Sequence, residues 1–170
     1  MLGDSLTRES RGHLHELLRS SGWTPTLRCW GSKRLDWGLA QVARARELGQ
    51  LPGVVVVALG TNDVSWVSPS VTESRVRSLL DRLGPRRQVM WVNLDVDFSA
   101  FSARRADWFN AMIRRVAAER SNVRVVAWER RARAARAWRS DGIHYGPAGY
   151  RLRAAVIVAA LNVPARPLNS

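Results

Sequence analysis

Ser5 is the residue in this chain with the surroundings of a nucleophile. A serine hydroxyl attacks a carbonyl only when a base removes its proton and donors hold the oxyanion that forms. Three short segments carry those groups: Gly3-Asp4-Ser5-Leu6, Gly60-Thr61-Asn62-Asp63 and Asp141-Gly142-Ile143-His144. The first offers the hydroxyl, the second an amide, and the third an imidazole with a carboxylate beside it. Each is weak alone, since Asp-Gly is also a plain turn and a polar stretch after a strand is also a plain loop. Their joint occurrence, in this order, points to acyl transfer through a covalent serine intermediate.

His144 is the base in this reading. His13 and His15 fall mid-helix in the first helical pattern, cannot both point at a strand end, and read as surface or satisfied core residues. Asp141 precedes His144 by three residues, and a turn through Gly142 folds its carboxylate onto the imidazole. There it would fix the tautomer and stabilise the imidazolium formed during attack. Gly146-Pro147 starts a helix just past the histidine and anchors the loop. Gly3 allows a tight turn before Ser5, and the helix that follows presents free N–H groups to a nascent anion. Asn62 can aim its side-chain N–H at the oxyanion, while Gly60 keeps the backbone open and Thr61 ties the turn. Asp4 and Asp63 read as structural acceptors, in a cap or a turn. A further oxyanion donor should be a backbone N–H after the second strand. Gly31 fits, directly after Trp30, and Gly38 is the alternative, inside a helical pattern.

The elements that must position these residues alternate. Val54-Val55-Val56-Val57-Ala58-Leu59 is a β-branched run bounded by Pro52-Gly53 and Gly60, which predicts a fully buried parallel strand. Residues 88–94 and 123–128 resemble it, 26–30 is a weaker strand, and Met1-Leu2 is the stub of the first. Between them the spacing predicts helices over 7–21, 35–48, 71–83 and 101–120, the first three closed by Gly22, Gly49 and Gly84. A last helix follows Pro147, with Ala148, Leu152, Ala155, Val156 and Ala159 as its expected inner face. Strands alternating with helices give a parallel sheet covered on both sides, whose ligands bind beyond the carboxyl ends of the strands. All three motifs fall there.

The chain has 170 residues, enough for one domain with a sizeable core. Residues 154–161 are apolar but too few to span a bilayer, which takes about 20. No secretory signal is visible, and cytoplasmic and secreted locations both stay open. Cys29 is the only cysteine, which excludes an internal disulfide and a zinc cluster and reads as a buried structural thiol. The formal charge is +13, with Lys33 the only lysine. Such a charge favours acidic partners. The arginines are nevertheless spread over what read as helix exteriors, and their use in place of lysine fits coding bias. The densest stretch, 130–139, reads as a short solvated helix with Ala132, Ala135 and Trp138 inward. No specific nucleic-acid site is expected.

The quoted motifs resemble the SGNH (GDSL) hydrolases: the first block matches Gly3-Asp4-Ser5-Leu6, the second Gly31, the third Gly60-Thr61-Asn62-Asp63, and the fifth Asp141-Gly142-Ile143-His144. The resemblance spans almost the whole chain. It implies a three-layer α/β/α, flavodoxin-like fold with a parallel sheet of about five strands. It implies Ser5, Asp141 and His144 as triad and an oxyanion hole from the Ser5 N–H, the Gly31 N–H and the Asn62 side chain. It implies no metal and no organic cofactor. Family members usually carry a full apolar strand before the first motif, whereas only Met1-Leu2 precede it here. The G-x-S-x-G elbow of the α/β-hydrolases is absent.

Three functions follow. The first is hydrolysis of acyl esters, of short acyl groups since no long lid insertion separates the motifs, on a small molecule or a carbohydrate. The second is an acyltransferase that moves the acyl group to a sugar or polymer. The third is a catalytically dead binder of anionic polymers. Of the eight tryptophans, Trp37, Trp66 and Trp138 could line a sugar platform, with Trp66 flanking the pocket just past Asn62. Oligomeric state is not readable.

Overall fold

The structure is a computed structural model, and it describes residues 1–135, 137, 139 and 141–163. Five strands form, β1 Leu2–Gly3, β2 Arg28–Cys29, β3 Val54–Ala58, β4 Gln88–Val92 and β5 Val123–Val126. The helices are α1 Ser5–Glu9, α2 Arg11–Ser20, α3 Leu35–Glu47, α4 Pro69–Leu83, α5 Ala100–Ala118, α6 Trp128–Ala134 and α7 Pro147–Leu161. The strands pair in parallel in the order β2-β1-β3-β4-β5. The order reverses at β1, since the chain steps first to one side and then, after β2, to the other. A crevice opens at such a reversal, beyond the carboxyl ends of the strands.

The β-branched run of β3 explains the layering. Successive side chains of a strand point to opposite faces. Val55 and Val57 join one apolar cluster with Leu35 and Val42 of α3, Leu79 and Leu83 of α4, and Phe109 and Ile113 of α5. Val56 and Ala58 join the other, with Leu6, Leu14 and Leu18 of α1 and α2, Trp128 of α6, and Ala154 and Ile157 of α7. Both faces are therefore covered, giving three layers, and a strand apolar at every position is the expected consequence. Cys29 is buried in the second cluster, where desolvation pushes its thiol up. Among the described residues no helix is long and apolar enough to cross a membrane.

Three expectations are corrected. The first helical pattern is two helices, because the buried Ser10 hydroxyl donates to the Leu6 carbonyl at 2.7 Å. Such back-bonding competes with the helix ladder and bends the chain. The inner face of α7 is Tyr150, Arg153, Ala154, Ile157 and Val158, whereas Ala148, Ala155 and Ala159 are exposed and Leu152 and Val156 only partly buried. An arginine hides that face from a hydropathy reading, because Arg153 is buried there, its charge favoured by that of the equally buried Asp4. In α6 Ala132 is buried as expected but Ala135 is exposed, since the helix ends at Ala134. Trp138, the third inward residue expected there, lies outside the described residues.

Candidate active site

Register sets the level of the site before any side chain is considered. Gly3 pairs with Cys29 on one side and Ala58 on the other. Ser5, Gly31 and Gly60, each two residues further on, leave the sheet at one level around the reversal at β1. Asp4 is the N-cap of α1, its Oδ1 accepting the Leu6 N–H at 3.0 Å. The cap holds the turn at which Ser5 opens the helix.

His144 arrives from the other end of the chain, between α6 and α7. Its Nε2 lies 3.0 Å from Ser5 Oγ. Its Nδ1 lies 2.7 Å from Asp141 Oδ2. A carboxylate can only accept, so Nδ1 carries the proton and Nε2 faces the hydroxyl as an acceptor. Asp141 Oδ1 accepts two backbone N–H groups, from Ile143 at 2.9 Å and His144 at 2.7 Å. Desolvation works to raise Asp141. The backbone and ring N–H of His144 and the backbone N–H of Ile143 outweigh it and hold the carboxyl at about 2. Gly142 makes the turn possible: it has φ +75°, and a Cβ there would meet the Phe98 backbone at 2.5 Å.

The Gly60–Asp63 segment docks against the loop that follows β2. Asn62 donates from Nδ2 to the Lys33 carbonyl at 3.0 Å, which ties it to the loop containing Gly31. An amide nitrogen carries two hydrogens, so the second is not committed to Lys33. Gly60 has φ +128°, and a Cβ there would come within 2.6 Å of the Phe109 ring. Asp63 is buried, and its carboxylate accepts the Leu35 N–H at 3.1 and 3.3 Å. It thus caps α3 from a distance, where the N-cap residue Arg34 supplies no side-chain acceptor. Burial pushes Asp63 up to about 7, although the Leu35 N–H and Arg75 favour the charged form.

Of the two alternatives for a further oxyanion donor, Gly38 is spent, since its N–H donates to the Arg34 carbonyl at 3.2 Å inside α3. Gly31 sits half-buried at the level of Ser5. Trp66 is 81% exposed. Trp37 is partly buried against the core and meets Trp30 edge to face, ring centroids 6.0 Å apart. Trp30 itself, more than half exposed, is a rim residue that sequence reasoning passed over, although its place directly before Gly31 was a signal. His13 lines a recess with Pro147, Ala148, Arg151, Leu152 and Ala155, and Ser5 is not among its lining residues. A second cavity, about 410 Å³, opens at the amino ends of the strands between Met1, Trp23, Leu51 and Val54. It lies opposite the motifs. Among the described residues no group of three or more His, Cys, Asp or Glu side chains could hold a metal ion.

Solved structures share this fold. The C-terminal catalytic domain of Streptococcus pneumoniae peptidoglycan O-acetyltransferase A, with a methylsulfonyl adduct, superposes with TM-score 0.80 at 20% identity, over 94% of this chain and 89% of that one. A GDSL-like lipase from Bacteroides thetaiotaomicron gives 0.76 at 17%, over 94% and 85%. A carbohydrate esterase family 3 protein from Talaromyces cellulolyticus gives 0.74 at 20%, over 95% and 94%. A comparison with curated protein sequences gives no match. The description of the GDSL-like lipase/acylhydrolase family matches residues 1–152, which include all three motifs, and the chain belongs to that family.

Proposed function

We propose that this chain, acting as a single domain, hydrolyses carboxylic esters of short acyl groups through an acyl-enzyme on Ser5. His144 Nε2 takes the Ser5 proton as Oγ attacks the carbonyl, and the imidazolium is stabilised by Asp141. The tetrahedral oxyanion is held by the Ser5 and Gly31 N–H groups and the free amide hydrogen of Asn62. Collapse expels the alcohol, which leaves with the proton from His144. Water, activated by the same imidazole, then attacks the acyl-enzyme and releases the acid. No step calls for a metal or an organic cofactor. The observation that carries this reading is the continuous chain Ser5 Oγ, His144 Nε2, His144 Nδ1, Asp141 Oδ2, with separations of 3.0 and 2.7 Å.

The rim supports a carbohydrate as the alcohol part. The exposed aromatic side chains Trp30, Trp66, Phe98 and Phe101 all follow the carboxyl ends of strands, after β2, β3 and β4. Flat exposed rings stack well on sugar faces. Trp66 flanks the acceptor side in this reading, and Trp37 braces Trp30. Transfer to a sugar instead of water is the second reading. It is supported by the half-exposed His144 and Asp141, which leave room for an alcohol, and by the acetyltransferase among the similar structures.

The test is a panel of p-nitrophenyl acetate, longer p-nitrophenyl esters and acetylated oligosaccharides, run on the wild type and Ser5→Ala. Turnover should fall to background in Ser5→Ala with its circular dichroism unchanged. Equal cleavage by that variant would remove Ser5 from the mechanism. Product analysis with added sugar alcohols separates hydrolysis from transfer.

A further inference from the structure

The contacts within Asp141–His144 are local and travel with the loop. The contact to Ser5 joins opposite ends of the chain, so something must fix that loop to the sheet. Tyr145, next to His144, is the buried anchor. Its ring is 5% exposed and meets Trp128 and Tyr150 edge-on, at 5.1 and 5.9 Å. Its hydroxyl accepts the Trp128 Nε1–H at 3.0 Å and donates to Asp95 Oδ2 at 2.8 Å. Asp95 is 4% exposed, just past the carboxyl end of β4. Its charge is met by Arg139, whose Nη1 is 2.7 Å from Oδ2 and also donates to the Asp95 carbonyl at 2.9 Å. Arg133 stands 3.6 Å from the other carboxylate oxygen.

The second Arg139 nitrogen holds Asp97 at 2.5 Å, and the guanidinium lies 5.9 Å over the Tyr145 ring. Arg139 and Tyr145 also pair as an antiparallel bridge, closing the loop on itself. Asp97 donates its N–H to the Gly142 carbonyl at 3.0 Å. The segment after β4 therefore grips the His144 loop at Arg139, Gly142 and Tyr145. Burial and the adjacent Asp95 charge push the Tyr145 hydroxyl well up, so it stays a donor. Arg153 is the further charged group that acts on Tyr145 from α7, besides Asp95 and Arg139.

We propose that Asp95, Arg139 and Tyr145 are positioning residues, a buried clamp that sets His144 Nε2 against Ser5 Oγ. The proposal rests on the triad reading above. A displacement of about 1 Å is enough to cost roughly 100-fold in rate, and a buried ion pair is by itself weak evidence for a stabilising role.

The test is Tyr145→Phe, which keeps the ring and removes the hydroxyl, with Asp95→Asn as the second variant. On p-nitrophenyl acetate kcat should fall about 10- to 100-fold with KM within twofold, at temperatures where both variants are folded. Substrate-free ¹⁵N spectra of the imidazole supply a readout independent of turnover. The His144 Nε2 resonance should move in Tyr145→Phe in the same direction as in Ser5→Ala, and Ser5→Ala/Tyr145→Phe should add little. An unmoved resonance in Tyr145→Phe and in Asp95→Asn, or kcat unchanged in both, overturns the clamp. So does a loss of kcat that only tracks melting. Should the wild type lack Ser5-dependent turnover, the catalytic reading fails while the spectra still decide the clamp.

Discussion

Asp141 has two tasks on its two oxygens, and they come apart under substitution. Oδ1 accepts the Ile143 and His144 backbone N–H groups, and Oδ2 faces the ring. Asp141→Asn keeps an acceptor for the turn but turns an N–H₂ toward Nδ1. That nitrogen must then become the acceptor, which moves the ring proton to Nε2, where it blocks removal of the Ser5 proton. A loss of about 10⁴-fold in kcat is the expected outcome, by the logic of the serine-protease triad, with circular dichroism unchanged. Because Asp141 titrates at about 2, it is ionised through the assay range, and an acid limb seen above pH 4 in the wild type belongs to another group. Steady-state kinetics from pH 4 to 9 on both proteins check this, and a variant within tenfold of the wild type contradicts the role.

At the scale of elements, legibility follows distance along the chain. The β3 run was readable because five consecutive apolar residues leave little else, and each site motif because its working residues lie within four positions. The inner face of α7 was not. The helix is Ala-rich on several sides, so hydropathy has little period, and Arg153 interrupts the one stripe that packs. The clamp was not readable either, since Asp95 and Arg139 stand 44 residues apart and neither belongs to a motif. The α7 correction is testable by substitution. Ile157 is fully buried in the second apolar cluster, and Ile157→Ala should cost about 2–5 kcal/mol. Ala155→Ser and Ala159→Ser, on the exposed side, should stay within about 0.5 kcal/mol. Urea unfolding of the three variants decides which face packs, and equal losses would refute the placement.

The whole molecule carries +13, so its acidic side chains are surrounded by arginine, and Glu73 is held well below its usual range mainly by Arg115 and Arg77. Asp63 runs the other way. It is fully buried, with Arg75 3.7 Å away, and is pushed up to about 7 from 3.8. Between those values the folded chain keeps a proton that the unfolded chain has released. The unfolded state then binds fewer protons, so this contribution to stability is present below about pH 4 and lost as pH rises through 7. A shift of about three units corresponds to roughly 4 kcal/mol. Other groups titrate too, and the comparison with Asp63→Asn isolates this one. Asparagine still accepts the Leu35 N–H through Oδ1 and cannot ionise. Relative to the wild type, the variant should therefore gain stability between pH 4.5 and pH 8, by about 3 kcal/mol in paired urea titrations. A difference that stays constant with pH would mean that Asp63 is ionised throughout, and that Arg75 holds the junction of α3 and the Gly60–Asp63 segment as a full ion pair.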